Sequence, residues 1–143
     1  MKRFLFLLLG ASTVAALSSC TKTEMIESDY IPNASYVYTI NQNDWDWAEG
    51  VTYQVYHDKS IPDLTDYYLL EGSVSVAISF DGEQSYDILP ATFEGISYSV
   101  NYTVGAVTIY AEDPLADPNI QINLPDNAVV KVVLSDAQFI GEL

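Results

Sequence analysis

The chain has 143 residues, 49% of them hydrophobic and 13% aromatic, with 5 Lys and Arg against 20 Asp and Glu for a formal charge of −15. That length holds one domain at most. The few scattered basic residues argue against a nucleic-acid partner, because phosphate binding needs clustered Lys and Arg to displace counterions. One Cys and one His leave neither an internal disulfide nor a zinc site of Cys/His type.

The chain opens with Lys2 and Arg3, an apolar stretch from Phe4 to Leu9 that continues through Ala11, Val14, Ala15 and Ala16, and small residues leading to Cys20. This pattern is an export signal. Gly10, Ser12 and Thr13 interrupt it too early for a permanent span of about 20 apolar residues. Leu17-Ser18-Ser19-Cys20 resembles the lipobox of bacterial lipoproteins, which implies cleavage after Ser19 and lipid on Cys20. The sole thiol stands at the position the lipobox requires, and two or more acyl chains suffice for stable anchoring. In such lipoproteins an Asp after the Cys favours the inner membrane; here Thr21 follows, so the resemblance implies the outer membrane, with the leaflet left open. The expected organisation is therefore a signal peptide over 1–19, a lipidated N-terminus and tether over 20–34, and a domain over 35–143. The part after Ser19 keeps three basic side chains (Lys22, Lys59, Lys131) and all 20 acidic ones, a net of −17.

From Tyr36 the apolar pattern has a period of two. Tyr36, Tyr38 and Ile40 alternate with polar or neutral neighbours, as do Val51, Tyr53 and Val55, and then Val74, Val76, Ile78 and Phe80. Val76 and Ile78 are expected on one buried face. Between the second and third runs, Ile61 to Leu70 reads as a helix, with Ser60 as cap, Pro62 in the first turn, Leu64, Tyr67 and Tyr68 at helical spacing, and Gly72 as the stop. Asp81-Gly82 predicts a tight hairpin into a strand at Tyr86 to Leu89. Ile96 to Tyr102 and Val107 to Ala111 form a second hairpin broken at Gly105, and Ala128 to Leu134 is a β-branched run typical of a strand buried on both faces or nearly so. The fold class is all-β: an immunoglobulin-like antiparallel β-sandwich of about seven strands with one short helix.

The order of signals along the mature chain is similar to that of the small lipoproteins of unknown function common in Bacteroidetes-type bacteria. The matching residues are Trp45 and Trp47, Leu64 to Gly72 with Val74 and Val76, Leu89-Pro90, then Tyr98, Tyr102, Gly105, Val107 and Ile109, and finally Lys131-Val132-Val133. These motifs are structural, so the resemblance implies fold and address and brings no catalytic residue.

Chemistry is sparsely signalled. His57, in His57-Asp58-Lys59, reads as a solvated loop residue, and no Gly-x-Ser-x-Gly element accompanies it. Twenty acids make some carboxylate pair of glycosidase type inevitable and therefore uninformative. No cofactor is implied. Calcium is the one metal to weigh, at Asn41, Asn43, Asp44 and Asp46 and at Glu112, Asp113 and Asp117, but neither cluster has the spacing of a calcium loop. Asp113 and Asp117 are the weak calcium candidates.

Trp45 and Trp47, two apart in Asn43-Asp44-Trp45-Asp46-Trp47, would face one side of an extended segment with Asp44 and Asp46 on the other. Such rings beside carboxylates suit a sugar-binding platform; the competing reading is that they close the end of the core. Three functions compete: a non-catalytic binding or accessory module for a glycan, peptide or partner protein; a structural protein that pairs through a strand edge; and, last, a hydrolase. Exposure of both Trp rings favours the first, and a long unprotected edge strand favours the second.

Overall fold

The computed structural model describes residues 33–137 together with 140 and 141; the expected signal segment, Cys20 and nearly all of the expected tether lie outside the described residues. Two antiparallel sheets form the expected all-β sandwich. The first has four strands: β1 (Ala34–Asn41), β4 (Ser73–Ser79), β5 (Asp87–Ile88) and β9 (Asn127–Ser135), in the order β1-β9-β4-β5. The second has five: β2 (Asp46–Trp47), β3 (Gln54–Ser60), β6 (Ala91–Phe93), β7 (Ile96–Thr103) and β8 (Ala106–Glu112), in the order β2-β3-β8-β7-β6. The one α-helix among the described residues, α1 (Asp66–Leu70), links β3 to β4, so the chain crosses between sheets there.

Alternation fixes which side chains meet. Val76 and Ile78 are opposite Val132 and Val130 in β9, and all four are buried. In the other sheet Val55, Ala111 and Tyr98 form one buried row across β3, β8 and β7. Each Val, Ile or Leu so buried contributes about 1.5–3 kcal/mol relative to leaving it in water. β9, central between β1 and β4, buries Ala128, Val130, Val132 and Leu134 completely and leaves Val129, Lys131 and Val133 half-buried on the outer face. The β7–β8 hairpin turns at Val104-Gly105, where Gly105 has φ +82°.

Four local expectations are corrected by long-range bonds. The strand expected at Val51 to Tyr56 lies at Gln54–Ser60, because β3 pairs with β8 as far as Ser60 opposite Ala106, and Asp58 accepts a bond from Thr108 Oγ1 across the pair. The helix is limited to Asp66–Leu70. Ile61 N–H bonds to Gly105 O and Gly105 N–H to Leu64 O, so residues 61–64 cross to the β7–β8 turn instead of starting a helix, and Ser60 is strand rather than cap. Asp81-Gly82 does not make a two-residue hairpin, because β5 pairs with β4 at Ala77 and Ile78, which leaves a wide loop. The Asp81 carboxylate organises that loop by accepting bonds from Ser79 Oγ, Gln84 N, Ser85 N and Ser85 Oγ, which hold it at a pKa of about 2. β2 and β6 are additional to the expected strands.

Gly72 stops α1 for a packing reason. A Cβ there would come within 2.9 Å of the Ser135 carbonyl oxygen and 3.0 Å of Tyr68 Cα, so only glycine lets the helix exit pass under β9. Two phenol–carboxylate bonds fasten the same end: Tyr67 Oη donates to Asp136 and Tyr36 Oη to Asp63.

Candidate functional site

The first candidate is the segment after β1. A 3-10 turn at Gln42–Asp44 ends β1, and the Asp44 carboxylate reaches back to accept the Asn41 N–H at 2.8 Å and Asn41 Nδ2 at 2.7 Å, bonds that hold its pKa below the usual carboxylate range. The chain is then extended. Trp47 is opposite Val55 in β3, a buried inward residue, so its indole lies on the inner side of the sheet. Trp45, two residues earlier, shares that side; its ring lies 6.2 Å from His57 and 6.5 Å from Tyr98, centroid to centroid.

The shared side does not give a shared environment. Trp45 is 7% exposed and belongs to the core, while Trp47, on a two-residue strand at the sheet edge, is 45% exposed. The pair therefore offers no two-ring platform, and Trp47 is its one exposed ring. Asp46 is exposed, but Asp44 is committed to ending β1. The segment from Trp45 to Trp47 is extended as expected; what separates the two rings is that Trp45 packs against His57 and Tyr98 while Trp47 stands on the short edge strand β2.

His57 is not a solvated loop residue. It sits inside β3 opposite Ile109, half-buried, 6.0 Å from the Tyr38 ring, and its Nδ1 donates to the Asp44 carbonyl at 2.8 Å. Lys59 Nζ lies 5.0 Å from the centroid of the same Tyr38 ring. Tyr38 Oη, Trp45 Nε1 and Tyr98 Oη are buried with no hydrogen-bond partner among the described residues, so ring packing rather than a polar network holds this cluster. Burial pushes the Tyr98 phenol up to about 12 and the Tyr38 phenol up further, which keeps both neutral.

The calcium candidates are bound up in turns. Asp113 Oδ2 accepts the Asp117 N–H at 3.0 Å, Asp117 Oδ1 accepts Asn119 N and Nδ2 at 2.9 Å, and Glu112 takes Gln54 Nε2. Among the described residues no three His, Cys, Asp or Glu side chains gather as a metal-holding group. None of the described helices is long and apolar enough to cross a membrane.

The second candidate was not visible as a site in the sequence: the outer edge of β1. Gln42 N–H bonds to Asp126 O, extending a register in which Ala34, Tyr36, Tyr38 and Ile40 exchange bonds with β9. The N–H and C=O groups of Ser35, Val37 and Thr39 therefore point away from β9, and among the described residues nothing takes them up. The edge runs eight residues, about 27 Å at 3.4 Å each, with no Pro, Gly or charged side chain, and Val37 is 50% exposed beside it.

The other three edges are blunted. β2 and β5 have two residues each and β6 three, and β5 turns Asp87 inward by pairing it with Ile78. Short edges and inward charges are the usual guards against strand addition, and β1 has neither. Compared with known proteins, the chain matches no family model, no curated protein and no solved structure.

Proposed function

We propose that this chain is a non-catalytic binding protein of the cell envelope, anchored by lipid on Cys20 in the outer membrane, whose sandwich recruits a partner protein by adding a strand along β1. The single observation that carries the reading is the contrast between β1 and the three guarded edges. Main-chain bonds supply affinity in such pairing, and side-chain pockets supply selectivity. The placement of His57, packed between Tyr38 and Trp45 with Nδ1 engaged, supports a structural rather than a catalytic role for the only imidazole. The lipobox-like Leu17 to Cys20 and the similarity to small Bacteroidetes-type lipoproteins support the address. Residues 21–33 can span at most about 45 Å, a reach that lets the domain meet partners beyond the lipid surface.

Strand addition is tested in cells with a photo-crosslinking amino acid at Thr39. A discrete adduct is expected, and adding Val37→Pro should reduce it at least tenfold, because proline removes a free-edge N–H without touching a bond to β9. The variant should still melt cooperatively. No adduct from Thr39, or one indifferent to Val37→Pro, overturns the reading; an adduct from Trp47 instead would return weight to a ligand at the exposed ring.

Anchoring is tested separately. Cys20→Ser should abolish incorporation of labelled fatty acid and leave the precursor unprocessed, and label retained in the variant would place the anchor elsewhere.

A further inference from the structure

At the end of the sandwich where β1 finishes, a cleft of about 80 Å³ is lined by Phe80, Asp81, Ser85, Asp87 and Phe93. Phe80 follows β4 and Phe93 ends β6, so their rings join the two sheets; they stack 4.2 Å apart at 12°, and Phe80 is backed by the buried Tyr98 at 4.9 Å. The apolar lining is thus fixed to the core. Asp87 shares the inner face of its sheet with Ile78, its partner in register, but is exposed at the mouth of the cleft, and its carboxylate has neither a hydrogen bond nor an ion pair among the described residues. Asp81 contributes a second charge, held rigidly by its four bonds to the loop.

Two carboxylates beside an aromatic lining favour a cation, and among the described residues no lysine or arginine is placed on them. The two described lysines lie over the rings of Tyr38 and Tyr86. The volume is well below the roughly 300–1,000 Å³ of a small-molecule site and suits one side-chain head group.

We propose that this cleft is a socket for the guanidinium group of an arginine presented by a partner protein. A planar guanidinium can lie against the phenylalanine rings while its fork of N–H donors meets the Asp87 carboxylate and Ser85 Oγ, a combination that a point-like ammonium matches poorly. The net charge of −15 draws basic partners to this face at longer range. The socket is separate from β1 and stands whether or not a strand adds there.

The test is an NMR titration of the full chain in detergent micelles with N-acetyl-arginine amide, N-acetyl-lysine amide and N-acetyl-citrulline amide at constant ionic strength. Arginine amide should shift the Phe80 and Phe93 ring signals and the Asp87 amide saturably. Citrulline amide, of similar shape without the charge, should bind at least tenfold more weakly, and lysine amide should fall between. Asp87→Asn should weaken arginine binding about tenfold while leaving other backbone signals in place. Equal responses to lysine and arginine, responses spread over the other acidic loops, or an unchanged affinity in Asp87→Asn would each overturn the proposal.

Discussion

At the residue scale, Trp45 and Trp47 show what spacing determines and what it does not. Two residues apart in an extended chain, they share a face, as their sequence requires. Their burial depends on what lies across the sheet, and that is set by residues far away: Trp45 is covered by His57 and Tyr98, while Trp47 has the open edge of β2 beside it. Nothing in the near-repeat Asp-Trp-Asp-Trp separates the two. Trp45→Ala should therefore cost about 3–5 kcal/mol, the range for truncating a buried aromatic ring. Trp47→Ala should stay within about 1 kcal/mol, as for a surface substitution. Urea unfolding followed by circular dichroism measures both. Equal losses would show that the edge ring is as much a part of the core as its neighbour.

At the element scale, strands were legible wherever alternation was uninterrupted and both faces had a clear character. β4, β7 and β8 fall within a residue or two of the pattern at Val74–Phe80, Ile96–Tyr102 and Val107–Ala111. β3 was displaced because His57 to Ser60 are polar, and only pairing with β8 keeps them extended. The helix lost its first half to two backbone bonds with Gly105, forty residues away in the sequence, which no local propensity encodes. The hairpin at Asp81 widened for a different reason. Asp81 prefers to bond the backbone ahead of it, an Asx-type arrangement that competes with a tight turn, and the positive φ values fall on Gly82 and Glu83 instead. The candidate edge has a similar history: β1 was legible as a strand, yet its status as the one long free edge among the described residues is a property of sheet order. Its composition carries the only local hint, namely eight residues without the Pro, Gly or Lys that usually protect such a strand.

At the scale of the whole molecule, charge is distributed along the long axis of the sandwich. Most carboxylates of the described residues occupy the loops at one end, in 41–53, 80–87, 112–126 and the turn at Glu94, whereas Asn33 and α1 lie at the other end. The two described lysines contact tyrosine rings and offset little of this field. Crowded like charges repel more in the folded state than in an expanded chain, so the sandwich folds against its own electrostatics. In roughly 10 mM salt the screening length of about 30 Å matches the length of the strands, and carboxylates on different loops repel; in about 1 M salt it falls to about 3 Å and that repulsion is gone. Raising NaCl across this range at pH 7 should therefore raise Tm by about 4–8 °C, the shift that roughly 1 kcal/mol produces in a domain of this size. The increase should shrink near pH 4, because the sequence pI is about 4.1 and protonation has already removed most of the charge. A Tm that falls with salt at pH 7 would mean that attractive pairs outweigh the repulsion, and the acidic end would then have to be read as internally compensated.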